Sequence, residues 1–210
     1  MSRRILPLAA LTAATALTLT ACGGEPAEPD DIKGAGASAS AGAGEKAEDS
    51  DRGRPTFTMP KGFQLEFRDW HSDDPVQQAI LDDGRGQLRA GYAAIGEGDP
   101  DAGYFAFYNT HVGLGGGKEW IRSYSDKNVT VIGSLPVYDA KAALVGKGDS
   151  LASLTYCTDE SKAYTENRET GKKVGNPEGT EPTVHYVTTL RKSEDGVWQT
   201  DNVKSERGAC

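Results

Sequence analysis

The spacing of apolar residues changes from helical to strand-like near residue 129. Before that point, the stretch from Ser72 to Pro75 predicts a helix start, because acidic and hydroxyl side chains cap free amides and proline suits the first helical position. Apolar residues from Val76 to Ile95 then recur at helical spacing, up to a glycine-containing stop at 96–100. Gly84 and Gly86 fall inside this pattern, and since each costs about 1 kcal/mol relative to alanine, we expect a kink or break there.

Two shorter helices are predicted next, from Ala102 to about Val112 and from Lys118 to about Asp126. The stretch between them, Gly113–Gly117, predicts a loop. It does not match a phosphate-binding loop, because Lys118 is not followed by serine or threonine and no apolar strand precedes it.

Alternating apolar positions dominate the C-terminal half. The predicted strands cover residues 129–145 (interrupted near Pro136), 151–164, 184–190 and 197–204. Turns are predicted at 146–149 and 193–196, and a polar loop at 166–182. Upstream, the alternation of Phe63, Leu65 and Phe67 predicts a short extended segment lying on the body of the domain.

Helices followed by a meander of strands indicate the α+β class. We therefore expect N-terminal helices packed on one face of a curved antiparallel sheet of about four strands. The domain, residues 55–210, has about 155 residues, the size of one domain with a single core.

The N-terminus has the layout of an export signal. Arg3 and Arg4 precede an apolar run, Ile5 to Leu19, whose length of about 15 residues is too short to span a bilayer. The run ends in Leu19-Thr20-Ala21-Cys22, which resembles the lipobox of bacterial lipoproteins. The resemblance implies a signal peptide over residues 1–21, cleavage between Ala21 and Cys22, and lipidation of Cys22. An ordinary signal peptide that leaves Cys22 as a free thiol is the alternative, and export by the general or the twin-arginine route stays open.

A lipidated Cys22 implies a protein anchored to the extracytoplasmic side of the cell membrane. One acyl chain holds a protein only marginally, whereas the diacylglyceryl and palmitate chains of such a modification give durable attachment. Residues 22–54 are rich in glycine, alanine and acidic residues, so we expect a disordered tether. The formal net charge of −8 makes nucleic acid an unfavourable partner.

The chain has three cysteines. With Cys22 lipidated, Cys157 and Cys210 remain, and two thiols in an oxidising compartment are expected to pair. A zinc site is not indicated, because there is no C-x-x-C and the histidines, His71, His111 and His185, are scattered. No cofactor is indicated either.

Several short motifs carry a further resemblance. They are Gly62-Phe63, a Trp70 that precedes the Asp73-Asp74-Pro75 helix start, Cys157-Thr158-Asp159-Glu160-Ser161, and Gly196-Val197-Trp198 before Cys210. In these the chain resembles actinobacterial lipoproteins with an NTF2-like domain, which is a cone of helices on a curved sheet. The family implies a pocket between helices and sheet and, in some members, homodimers.

Isomerases of that fold use a buried carboxylate as base and a tyrosine or protonated acid as oxyanion donor. The candidate pocket-lining residues here are Tyr92, Tyr108, Trp120, Tyr124, Asp159 and Tyr186. Core filling is the simpler role for such aromatics, and we assign no catalytic residue. Gly148-Asp149-Ser150-Leu151 spells a hydrolase signature, but no downstream base accompanies it.

The sequence therefore predicts a non-catalytic module that binds a protein or a small ligand at the cell surface. The alternative is a pocket enzyme of the ketosteroid isomerase or polyketide cyclase type. An open pocket holding a desolvated carboxylate would favour the enzyme.

Overall fold

A computed structural model describes residues 53–210. The predicted signal peptide, the Ala21–Cys22 cleavage and lipidation site, and all of the predicted tether except Gly53 and Arg54 lie outside the described residues. Of the helices in the described part of the chain, none combines the length and the hydrophobicity that crossing a bilayer requires.

The described chain forms helices on a single sheet. The helices are α1 (Pro75–Glu97), α2 (Gly103–Phe107) and α3 (His111–Ser125). The strands are β1 (Phe63–Phe67), β2 (Val129–Leu144), β3 (Leu151–Asp159), β4 (Ala163–Asn167), β5 (Lys173–Val174), β6 (Thr183–Lys192) and β7 (Trp198–Arg207).

The sheet is curled and largely antiparallel, with the order β5-β4-β2-β3-β6-β7. β1 adds a parallel pairing with β2, from Phe63 opposite Gly133 to Phe67 opposite Val137. The α+β architecture of helices against an antiparallel sheet is thus confirmed, but the prediction of about four strands is wrong because the sheet has seven. The extra strands are β1 around Leu65, β4, which begins at the end of the predicted strand 151–164 and runs into the predicted loop 166–182, and β5, which lies inside that loop.

Helix α1 begins where predicted and runs without a break. The Asp74 carboxylate accepts hydrogen bonds from the backbone N–H groups of Val76 and Gln77, and Gly98 ends the helix with φ of 73°. The expected break at the internal glycines is absent because packing needs them. A Cβ at Gly84 would overlap Leu154, and one at Gly86 would lie 2.6 Å from the Tyr108 ring.

The predicted loop Gly113–Gly117 is instead part of helix α3. The Thr110 hydroxyl caps this helix by accepting from the Gly113 N–H at 3.1 Å. A Cβ at Gly113 would overlap the Thr200 carbonyl oxygen, and one at Gly117 would lie 2.5 Å from the Phe105 ring. Close packing against β7 and α2, which local propensity does not report, outweighs the helix penalty of these glycines.

Strand β2 is long, as predicted, but it is not interrupted at Pro136. Pro136 lies between the stretches of β2 that pair with β4 and with β3, and it stays in the sheet opposite Glu66 of β1. The irregularity comes later, between Tyr138 and Lys141, where Asp139 has φ of 54°.

Two contacts between residues far apart in the sequence hold the two ends of the described chain to the domain. The predicted disulfide between Cys157 and Cys210 is present and links the chain end beyond β7 to β3. At the other end, Arg54 forms an ion pair with the fully buried Asp83 of α1. The second oxygen of that carboxylate accepts from the Trp198 N–H at 2.8 Å. Arg54, predicted to end the tether, is therefore packed against the folded domain.

Candidate functional site

A cavity of about 400 Å³ opens between the helices and the inner face of the sheet. Helices α1 and α3 form one wall, and β1, β2, β3, β6 and β7 form the other. Its volume lies in the range of small-molecule sites. Its lining residues include Tyr92, Asn109, Gly116, Trp120, Tyr156, Thr158, Tyr186 and Asp201.

Aromatic rings provide much of the cavity surface. Tyr156 and Tyr186 lie directly opposite each other on β3 and β6, and their rings stack at 5.0 Å with an interplanar angle of 13°. On the helical side, Tyr92 meets Trp120 edge-on at 5.2 Å. Such surfaces suit a flat apolar body.

Burial changes the ionisation of the tyrosines. Desolvation, with a smaller contribution from the Glu160 carboxylate, raises the pKa of Tyr186 to about 12. Desolvation also raises the pKa of Tyr92 and of Tyr156 well above the ordinary value. These phenols are therefore neutral at physiological pH.

Asn109 borders the cavity and carries an unpaired acceptor that is buried beneath the cavity surface. Its Nδ2 donates to the Phe105 carbonyl oxygen at 2.7 Å, and because that carbonyl can only accept, the orientation of the amide is fixed. Its Oδ1 is buried and accepts no hydrogen bond, although the residue is only 5% exposed. The backbone of Asn109 is held by a bridge to Thr200 of β7, so this acceptor is positioned by rigid neighbours.

Thr158 borders the cavity on the sheet side. It follows Tyr156 by two residues and therefore shares its face of β3. Its Oγ1 is buried beneath the cavity surface beside the Tyr186 phenol, and the residue is 3% exposed. The hydroxyl lies close enough to Tyr186 to offset a little of the increase in that tyrosine's pKa.

Charged side chains are scarce around the cavity. Among the described lining residues there is no lysine, arginine or histidine, and the one carboxylate is Asp201. It sits at an irregularity of β7, opposite the step between Thr189 and Leu190. Its oxygens accept from the Thr110 hydroxyl at 2.9 Å and pair with Arg191 Nε at 3.3 Å. This carboxylate is thus engaged by the protein's own groups.

A glycine-rich part of α3 borders the cavity. Close packing leaves no room for a side chain at Gly113 or Gly117, but a Cβ at Gly116 would meet no atom within 4 Å. Gly115 also has open space around it and is not among the lining residues. Packing therefore explains neither Gly115 nor Gly116, and of the two only Gly116 borders the cavity.

Three of the six residues predicted to line the pocket do so: Tyr92, Trp120 and Tyr186. The structure places the other three, Tyr108, Tyr124 and Asp159, outside the lining. Tyr108 is buried beside Gly86 and Phe107, and Tyr124 packs edge-on against Trp120 at 6.3 Å. Asp159 caps a turn by accepting from the Ser161 N–H at 2.9 Å, and hydrogen bonding to the Ser161 hydroxyl and then to its N–H lowers the pKa of Asp159.

The sequence reasoning missed Tyr156, Thr158, Asn109 and Gly116. Alternation along β3 was a usable signal for the first two, because Tyr156 and Thr158 flank Cys157 and share one face. No pattern in the neighbouring sequence singles out Asn109. It borders the cavity because the turn between α2 and α3 is bridged to β7 at Thr200.

Comparisons with known proteins give structural likeness only. No protein-family model matches the chain, and no curated protein matches it. Among solved structures, the chain is similar to a protein from Catenulispora acidiphila at 14% identity, over 62% of this chain and 93% of that one, with a TM-score of 0.43. It is also similar to a ketosteroid isomerase-like protein from Erwinia carotovora atroseptica at 17% identity, over 60% and 94%, with a TM-score of 0.39. A candidate aromatic ring hydroxylase from Novosphingobium aromaticivorans is similar at 14% identity, over 66% and 94%, with a TM-score of 0.42. We take neither family membership nor activity from likenesses of this size.

Proposed function

We propose that this chain is a lipid-anchored extracytoplasmic protein whose NTF2-like domain binds a small ligand without converting it. The observation that carries the binding role is the cavity of about 400 Å³ between the helices and the sheet, whose lining includes the stacked Tyr156 and Tyr186 rings. Filling such a space with core side chains would stabilise the fold, so a retained cavity supports binding.

The chemistry of the lining supports binding over turnover. An isomerase-type mechanism needs a general base within reach of the substrate. The one carboxylate in the described lining, Asp201, is held by Thr110 and Arg191, and the lining tyrosines are neutral phenols. The proposal therefore ranks a ligand-binding module above the pocket enzyme.

The anchoring half of the proposal rests on Leu19 to Cys22. Wild-type protein should fractionate with membranes, and the mass of its mature N-terminus should exceed that of the polypeptide by the acyl chains. Cys22→Ser should abolish that mass increment, with the protein released or left as an uncleaved precursor. An unmodified Cys22 in freely soluble wild-type protein would refute anchoring and leave the binding role standing.

The binding half is tested with Nile red, a neutral fluorophore whose emission rises in apolar sites. We expect saturable binding to residues 53–210 and its loss in Gly116→Leu, since a leucine there projects from the lining into open space. Gly115→Leu is the matched control, because it makes the same change one residue away and off the lining. Equal Nile red binding by both variants and wild type would place the dye elsewhere and contradict the proposal.

A further inference from the structure

We infer that the domain forms a homodimer through the free edge of β7, which pairs antiparallel with the same edge of a second copy and places Ser205 opposite Ser205. This inference concerns an interaction surface and goes beyond the proposed ligand binding, on which it does not depend. Three features of residues 203–207 carry it: an open backbone edge, a hydrogen-bonding pattern that restricts the register, and charges that complement those of a second copy.

Strand β7 ends the sheet, and only its beginning is covered on the outer side. There the Thr200 N–H donates to the Tyr108 carbonyl at 2.9 Å, and the Thr200 carbonyl accepts from the Thr110 N–H at 2.9 Å. From residue 202 to residue 207 every residue is exposed, and within the described chain no strand pairs with this side of β7. Such an edge is a template for pairing with another chain.

The direction of the backbone groups decides which residues a second strand can bond. The Gly208 N–H donates to the Thr183 carbonyl at 2.9 Å, so the backbone of Gly208 faces β6. Backbone groups alternate in direction along an antiparallel strand, and the pairing of β6 with β7 is regular from Asn202 to the end of β7. The N–H and carbonyl groups of Val203, Ser205 and Arg207 therefore point away from the sheet.

This alternation and the charges together select one register. In an antiparallel pair, residues whose backbone groups point outward lie opposite each other. A two-fold axis at Ser205 satisfies this and places Lys204 opposite Glu206 of the second copy, twice by symmetry. An axis at residue 204 would place two lysines opposite each other, and an axis at residue 206 would place two glutamates. Opposite charges directly across a strand pair are favourable and like charges are not, so the axis lies at Ser205.

The side chains that this register pairs are available. Lys204 and Glu206 are exposed, and within the described chain neither forms a salt bridge. Arg207 is already held by the Glu160 carboxylate at 2.7 Å, so it does not compete for Glu206. Edge strands are commonly guarded by lysine or proline. Residues 203–207 contain no proline, and the second copy supplies a partner for the lysine.

The test is sedimentation velocity over a series of protein concentrations. It uses the mature chain, residues 22–210, with Cys22→Ser to keep the protein in solution. Because the free stretch is short, we expect wild type at the other positions to form a weak dimer with Kd in the micromolar range. Lys204→Glu and Glu206→Lys each replace two attractive pairs by two repulsive ones, so each should weaken dimerisation about tenfold or more.

Two combinations should restore the dimer. The double variant Lys204→Glu/Glu206→Lys has the net charge of wild type and again pairs opposite charges, so its Kd should return to the wild-type value. A one-to-one mixture of the two single variants should form heterodimers, because every pair across the axis is then of opposite charge. Lys172→Glu and Glu194→Lys are the matched controls, since they make the same changes at exposed positions off β7 and should leave dimerisation unchanged.

Hydrogen exchange tests the backbone pairing separately. The outward amides of Val203 and Ser205 should exchange more slowly as the protein concentration rises. The amides of Lys204 and Glu206 face β6, so their exchange should not change with concentration.

A monomeric wild type at every concentration would overturn the inference, as would dimers that neither single variant weakens. Single variants that dissociate without recovery in the double variant would overturn the register centred on Ser205. Ligand binding is judged independently, because Lys204 and Glu206 do not border the cavity. Monomeric single variants should therefore bind Nile red as wild type does, whereas loss of Nile red binding in wild type would count against the proposed function alone.

Discussion

Removing the Asp83 carboxylate should destabilise the domain more than most single substitutions. Asp83 is fully buried in α1, its partner Arg54 has a side chain only 6% exposed, and the same carboxylate accepts from the Trp198 N–H. Asp83→Ala leaves a buried guanidinium without its carboxylate, a change that costs about 3–5 kcal/mol. For a domain of this size, each kcal/mol lowers Tm by about 2–4 °C, so we expect a decrease of roughly 6–20 °C.

The assay is thermal unfolding of residues 53–210 followed by circular dichroism, with urea unfolding as a second measure. Asp82→Ala is the control, because Asp82 is the neighbouring carboxylate on the same helix and accepts from Gln78 at 2.8 Å on a partly exposed face. We expect the control to lose less than about 1 kcal/mol. Arg54→Ala should approach the effect of Asp83→Ala, because it removes a cation paired with the buried carboxylate.

Two results would refute this reasoning. If Arg54→Ala leaves Tm unchanged while Asp83→Ala lowers it, the stabilising partner of Asp83 is not Arg54, and the N-terminal segment is not held as described. If both variants unfold like wild type, the buried ion pair contributes nothing to stability.

Three further predictions concern stability. Cys210→Ser should lower Tm by several degrees, because closing the loop between the paired cysteines contributes at most about 4 kcal/mol to the free energy of unfolding. An unchanged Tm under non-reducing conditions would mean that the disulfide does not form. Gly84→Ala should destabilise the domain despite the better helix propensity of alanine, because its Cβ overlaps Leu154. Gly115→Ala meets open space and should raise the free energy of unfolding by up to about 1 kcal/mol. An increase for both variants in urea unfolding would contradict the packing described at Gly84. Because the pKa of Tyr186 rises from 10.0 to about 12 on folding, the folded protein holds that proton longer, so the unfolding free energy should decrease as pH rises from about 10 to 12. Tyrosinate absorbance and urea unfolding measured across that range check this, and Tyr186→Phe should remove part of the decrease.

Signals confined to a few neighbouring residues predicted the fold well. The Asp74 cap, the Pro75 start and the alternation from Val129 onward depend on short-range chemistry, and the structure has a helix and strands there. The interpretation of the glycines was wrong because the contacts that require them are with residues far away in the sequence. Propensity counts Gly84 and Gly113 as helix breakers, whereas the structure needs them where α1 approaches Leu154 and α3 approaches the Thr200 carbonyl.

The candidate site was predicted only in part for the same reason. Large aromatic residues such as Tyr92 and Trp120 stand out in a sequence, and both line the cavity. An amide such as Asn109 becomes informative only when its two ends can be told apart, with Nδ2 bonded to Phe105 and Oδ1 left without a donor. That distinction depends on a turn between two helices that the sequence reasoning placed elsewhere.

The central claim, that the space between the helices and the sheet is a binding site, is tested most directly by two-dimensional NMR of residues 53–210 titrated with 2-naphthol. We expect the amide signals of Gly113, Gly116, Gly117 and Thr158, which border the cavity, to shift saturably. Those of Gly148 and Gly171, in turns away from its lining, should stay in place. Shifts confined to the turn glycines, or no saturable shift at the four cavity residues, would contradict the account.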